Sequence, residues 1–311
     1  MSGLESQVST AILMVRPKAF GYNAETAGSN RFQQPGESRA IAAQAATEFD
    51  AFAAALRGEG VTVCAVEDTD PAKPDALFPN NWVSFHGDGT VVLYPMQAPN
   101  RRIERRADIV QTVVRETGFQ VRRTLDLTLH ERAGRFLEGT GSLVLDHRQR
   151  VAYACRSPRT DEHVAREWSR ELGFELELFR ATDEGGAPIY HTNVLMSVGT
   201  RFAVVALDAI DVADRGRVAA RLATSGRDVI AIDHAEMRGF CGNILEIGTW
   251  DEYLGDFHLL VMSRTAQRAL QRDKYAQLSG LVDAVLGVPV EVIERHGGGS
   301  VRCMLAEIFL R

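Results

Sequence analysis

The sequence predicts an α/β fold of five ββαβ modules stacked about a common axis. Two observations lead there. The order strand, tight turn, strand, helix, strand recurs four times along the chain, and the two termini carry the missing strands of a fifth module. One such module cannot bury its own apolar face, so stacking several around an axis is the physical solution, and pairing of the terminal strands closes the set.

The first module runs from NNWVSFHGDGTVVLYPM (80–96) through the charged helix RRIERRADIVQTVVRETG to the strand FQVRRTLDL. The second is GTGSLVLDHRQRVAYACRS, the helix PRTDEHVAREWSREL with apolar residues at helical spacing, and FELELF. The third is HTNVLMSVGTRFAVVALDA, VADRGRVAARLATSG and RDVIAI. In the fourth, GNILEIGTWDEYLGDFHLLVMS leads into one long helix, RTAQRALQRDKYAQLSGLVDAVLG, and the strand VPVEVIER (288–295). The fifth takes SVRCMLAEIFL from the C-terminus and AILMVRP from the N-terminus, then the helix RAIAAQAATEFDAFAAALRGEG and the strand VTVCAV. No Pro-, Ser- or Gly-rich linker divides the chain, so residues 1–311 read as one domain. The long polar stretch 20–38 reads as a substrate lid.

Composition narrows the function. With 311 residues, 45% of them hydrophobic, the chain can bury a large core. A net charge of −6 and a pI near 5.8 speak against nucleic acid or an acidic membrane as partner. The one basic cluster, RRIERR (101–106), reads as a solvated helix start. The sequence has no long apolar run and no signal-peptide pattern, which predicts a cytoplasmic protein. Cys64, Cys155, Cys241 and Cys303 stand far apart without zinc-site spacing, so they are expected to be thiols and not metal ligands.

In a ring of modules, the residues at the strand starts face one another. Those positions bring in Asn81, Glu138, His191 with Asn193, Asn243 and Cys303, at intervals of about 50 to 60 residues. His191 and Asn193 lie two apart in a segment read as extended, so both should point to one face. Cysteine, histidine, carboxylate and amides together form the set used for covalent catalysis at a thiol.

The elements FPNNW (78–82), LEGTGS (137–142), YHTN (190–193), GFCGN (239–243) and GGGSVRCM (297–304) carry a resemblance that runs nearly end to end. In this order they resemble the guanidine-modifying enzymes of pentein fold, the amidinotransferase, arginine deiminase and dimethylargininase superfamily, most of all its citrulline ureohydrolase group. The resemblance implies a five-bladed, pseudo-symmetric β/α propeller. It also implies Cys303 as nucleophile, His191 as acid and base, and Glu138 as the carboxylate that grips the reacting group, with no metal or organic cofactor. The glycines before Cys303 would let the backbone turn sharply and come close to the substrate.

Arginine deiminases of this superfamily carry carboxylates where this chain has Asn81 and Asn193. An amide offers both donor and acceptor, which suits a neutral ureido group better than a cation. The resemblance and this substitution together predict hydrolysis of citrulline to ornithine, carbon dioxide and ammonia. Asn243 would join the grip, and Arg238 or Arg302 would hold the substrate α-carboxylate. The alternatives are a deiminase or dimethylargininase that yields citrulline, an amidinotransferase, or a non-catalytic binding module like the ribosome anti-association factors of this fold. The expected partner is a small ureido or guanidino amino acid, not a nucleic acid or a membrane, and a homodimer is compatible with the sequence.

Overall fold

The computed structural model describes residues 6–36, 38–251 and 255–310. Residues 1–5, Glu37 in the predicted lid, residues 252–254 and Arg311 lie outside this description. All five modules form. In each, the first strand pairs antiparallel with the second, and the second pairs parallel with the third across a helical crossover; in the first four a short connection joins the antiparallel pair. The first module uses Val83–Phe85, Thr90–Leu93, the helix Ala107–Thr117 and Arg123–Asp126. The second uses Val144–Asp146, Val151–Cys155, the helix Glu162–Leu172 and Glu175–Phe179. The third uses Met196–Val198, Phe202–Val205, the helix Val212–Ala223 and Asp228–Ala231.

The fifth module is assembled from the two ends of the chain. Ala306–Ile308 pairs antiparallel with Ala11–Arg16, which pairs parallel with Thr62–Glu67 beyond the helix Arg39–Gly58. That helix buries Ala45, Phe49, Phe52, Ala53 and Leu56, a spacing of three and four residues that seats one face on the sheet. A pairing of Ile308 with Phe85 joins the fifth and first modules into one six-stranded sheet.

The fourth module departs from its predicted course. Its long helix is broken into Arg264–Ala269 and Arg272–Ser279, and its last strand is Ala284–Val288. The segment read as strand 288–295 is instead the helix Glu291–Gly297. Pro289 has no N–H to extend the ladder. The first N–H groups of the new helix are satisfied from afar, Val292 and Ile293 each donating to the Glu48 carboxylate at 3.0 Å.

Each module's first strand is preceded by a buried tight turn. These are Pro79–Asn81, Gly139–Ser142, Thr192–Leu195, the segment around Cys241–Asn243, and Val301–Met304. Cys303 therefore sits on a 3₁₀ turn and not on a strand. The turns touch in sequence. Pro79–Asn81 meets both Val301–Met304 and Gly139–Ser142, and the latter meets Thr192–Leu195, where Thr192 Oγ1 donates to Ser142 O at 2.6 Å. Asn243 Nδ2 donates to Asn193 O at 3.0 Å and lies 3.3 Å from Cys303 Sγ, so one side chain spans two neighbouring turns.

Contact this close demands a residue without a side chain at Gly139. Its φ is +47°, and a Cβ there would fall 2.1 Å from Asn80 O. Gly139→Ala is expected to destabilise the protein by more than about 1 kcal/mol, read as a lower urea midpoint at unchanged m-value. An unchanged midpoint would show that these turns can separate freely.

Candidate active site

The pocket at these turns is lined by Asp75, Phe78, Asn81, Arg101, Arg159, Tyr190, His191, Gly297 to Gly299 and Cys303, with Asn30 reaching over it. Its floor is the run of three glycines. Gly298 ends the preceding helix in the left-handed conformation, at φ +64°, and Cβ atoms on Gly297 or Gly299 would press into the Phe78 ring at about 3 Å. The carbonyls of this loop are held in place: Tyr190 Oη donates to Gly298 O at 2.6 Å, and Asn30 and Gln33 donate to Gly297 O at 3.2 and 3.0 Å.

Asn30 and Gln33 belong to the stretch predicted as a lid, which lies against the pocket. Phe32 in the same stretch packs on Phe240, ring centroids 5.4 Å apart. Phe240 itself holds φ +64°, an uncommon conformation for a bulky residue, in the turn that delivers Asn243.

Cys303 is 3% exposed. Burial pushes its thiol up, and the amides of Asn243 and Asn193, with Nδ2 atoms 3.3 and 3.6 Å from Sγ, work against that shift. Asn193 and Asn243 thus stand at the sulfur and do not line the pocket. His191 and Asn193 do not share a face. His191 caps the helical turn Thr192–Leu195, and its Nε2 meets Glu138 Oε2 at 2.9 Å, while Asn193 turns to Cys303.

Glu138 has both oxygens engaged. Oε1 accepts from Gln97 N at 3.0 Å, and Oε2 takes His191, Arg159 at 3.4 Å and a longer contact to Arg101 at 3.9 Å. Burial opposes its ionisation, but Arg159 and His191 overcome it and hold the carboxyl well below the usual range. His191 is lowered to about 4, mainly by burial, so its resting form is neutral.

The two arginines proposed from sequence for the carboxylate clamp lie elsewhere. Arg238 is exposed and pairs with Glu184. Arg302, next to Cys303, turns away to Glu307 at 2.8 Å and to Leu305 O. The turn at 301–304 places consecutive side chains on opposite sides. The pocket's arginines are Arg101 and Arg159, and Arg101 belongs to the cluster read as solvated. It is buried, forked on Glu104 at 2.9 Å through two nitrogens, and donates to Asn81 Oδ1 at 2.8 Å. Arg159 donates to Ser29 Oγ at 2.7 Å and to Thr26 O at 3.0 Å in the lid stretch, and lies over the Tyr190 ring.

Asp75 was also missed, although it precedes Asn81 by only six residues. Its Oδ2 accepts from Asn23 at 2.7 Å, its Oδ1 makes no hydrogen bond, and burial raises its pKa. The pocket-lining carboxylate is therefore Asp75, with Glu138 behind His191. The described residues contain one cluster of metal-ligand type, His130, His163 and Glu167, and none of the three lines this pocket.

A histidine buried in its neutral form stabilises the fold above its unfolded pKa of 6.5, and that contribution is lost as pH falls toward about 4. Glu104, pushed up to about 7 by burial, works in the opposite direction, so only a comparison of variants isolates His191. Between pH 7 and pH 5 the urea midpoint of His191→Gln is expected to fall less than that of the parent. Equal falls would exclude His191 as a source of acid lability.

The model of the N,N dimethylarginine dimethylhydrolase family, eukaryotic, matches residues 16–310. No curated protein matches at the sequence level. Among solved structures, the chain is similar to apo ArgZ, an arginine dihydrolase from the ornithine-ammonia cycle in Cyanobacteria, at TM-score 0.75 and 17% identity. The match covers 97% of this chain and 41% of ArgZ, so the chain spans well under half of that protein. It covers 96% of this chain and 98% of the N-terminal domain of ArgZ bound to substrate, at TM-score 0.74 and 17% identity. A dimethylarginine dimethylaminohydrolase adduct aligns at TM-score 0.63 and 17% identity, over 96% of this chain and 99% of that one. With the family model matching almost the whole length, this chain belongs to the dimethylarginine dimethylhydrolase family, within the guanidino-modifying enzymes of pentein fold.

Proposed function

We propose that the chain is a cysteine-dependent hydrolase that releases ornithine from citrulline, its five modules forming a single catalytic domain shaped as a closed five-bladed propeller. The observation that carries this reading is the amide-lined sulfur. Cys303 lies between the amides of Asn193 and Asn243, in a pocket where Asn81 supplies a further amide. The amide that lines the pocket, Asn81, can pair with the carbonyl and N–H groups of a neutral ureido group without the cost of an uncompensated buried charge, while Asn193 and Asn243 act on the sulfur.

In this mechanism His191 accepts the Cys303 proton as sulfur bonds to the ureido carbon. It then passes that proton to the δ-nitrogen as the carbon–nitrogen bond breaks and ornithine leaves. Water, deprotonated by His191, attacks the carbamoyl thioester. The carbon–sulfur bond breaks, the proton returns to sulfur, and carbamate decomposes to carbon dioxide and ammonia. Glu138 orients His191 and stabilises its protonated form, while Arg101 and Arg159 offer two buried cations to the substrate α-carboxylate.

A second reading has a specific observation in its favour. Asp75 faces the pocket with one oxygen free of hydrogen bonds, and a buried thiol ionises more readily beside a cation. Both features suit a guanidinium, and the solved relatives include AgrE bound to L-arginine and ArgZ described as an arginine dihydrolase. Arginine would then enter first and yield citrulline, which the same site would carry on to ornithine. The amides at Asn81 and Asn193 weigh against an amidinotransferase, and a non-catalytic module is less well supported because thiol, imidazole and carboxylate stand together at this site.

Separate incubations with citrulline, arginine and dimethylarginine, each with a Cys303→Ala control, test both readings. Ornithine from citrulline, lost in the control, is the expected result; ornithine from both citrulline and arginine would establish the second reading. Citrulline as the end product would overturn the proposal. Asn81→Asp is expected to shift the citrulline-to-arginine ratio of kcat/KM toward arginine by roughly ten-fold or more, the scale of about 1–3 kcal/mol for a buried polar mismatch. An unchanged ratio would remove the argument from amides.

A further inference from the structure

We propose that His130, His163 and Glu167 form a binding site for a divalent transition-metal ion of the zinc class, outside the catalytic pocket. His163 and Glu167 are four residues apart on the helix Glu162–Leu172, so they share one face. His130, in the turn Thr128–Ala133, meets that face. Its Nε2 lies 2.9 Å from Glu167 Oε2, and its ring stands edge-on to that of His163 with centroids 5.8 Å apart. One ligand atom from each of the three side chains can be chosen so that all lie within 4.8 Å of one another.

Zinc holds nitrogen and oxygen ligands at about 2.0 to 2.2 Å, which brings neighbouring ligands to roughly 3.5 Å. To reach that value the His130–Glu167 pair would open from 2.9 Å and the exposed His163 would turn toward it. Two imidazoles and one carboxylate select zinc, cobalt, nickel or copper over magnesium or calcium, which prefer all-oxygen shells. Three protein ligands leave the remaining coordination positions to water. Arg166, the residue before Glu167, is held on Glu162 by two nitrogens at 2.9 and 2.7 Å and so is drawn toward the preceding turn of the helix.

The position gives the site a consequence for the fold. Between its two halves, the chain passes through Glu138 and Arg159, whose backbones are joined by Glu138 N donating to Arg159 O at 3.2 Å and flanked by a bridge of Leu137 with Thr160. A metal ion would tie together the turn just before Glu138 and the helix just after Arg159. Because it binds the folded chain, it would raise stability with its concentration.

The test uses the full chain carrying Cys303→Ser, stripped with chelator, so that zinc cannot be taken up by the reactive sulfur. Equilibrium dialysis against zinc is expected to show one equivalent bound at micromolar free metal, with a rise in thermal midpoint. His163→Ala, at an exposed position, should leave the metal-free midpoint unchanged and weaken binding by about ten-fold or more; Glu167→Gln should also weaken it. Cobalt in place of zinc should give visible absorption bands that disappear in His163→Ala. Failure to bind one equivalent at tens of micromolar zinc would overturn the proposal, as would binding that survives His163→Ala unchanged.

Discussion

Burial of charge is the constraint on which this site depends. Glu138, Asp75 and Glu104 are removed from water together with Arg101 and Arg159, and none of these charges could persist alone in such surroundings. Each is matched by a partner, Glu104 by Arg101 from the same turn and Glu138 by the distant Arg159. Arg101 is forked on Glu104 and reaches Asn81, while Arg159 spans Glu138 and the lid stretch. Removing one member would leave another buried and unpaired, so the network fixes the register of the turns that carry it.

The same burial sets the resting chemistry. His191 is neutral, and the thiol of Cys303 is pushed toward its protonated form, with two amides limiting the shift. A site in this state holds its nucleophile in reserve. Under the proposed function, the bound substrate and the proton transfer to His191 would together create the reactive sulfur, with Glu138 already placed to stabilise the imidazolium. Burial would also limit wasteful reaction of the thiol with solutes in water.

The lid stretch is tied to the site by polar groups as well as by packing. Asn30 and Gln33 hold a carbonyl of the glycine loop, and Arg159 holds Thr26 and Ser29. An arginine that lines the pocket is thus also the anchor of the segment above it.

Local sequence determined the modules, because each alternation of apolar residues, each tight turn and each helical face is a short-range pattern. It also singled out Asn81, Glu138, His191, Asn193, Asn243 and Cys303, since one repeated turn delivers a polar side chain in every module. Where a long-range partner decides the outcome, the sequence was a poor guide. Residues 291–297 form a helix because Glu48, far away in the chain, accepts from its first N–H groups. Arg101 is buried because Glu104, Asn81 and Asp75 surround it, although its sequence neighbours suggest a solvated helix start. Asp75 faces the pocket, Glu138 stands behind His191, and Arg302 turns away from it. Those directions follow from the packing of turns against one another, and only the tertiary structure decides which side of a turn becomes the inside.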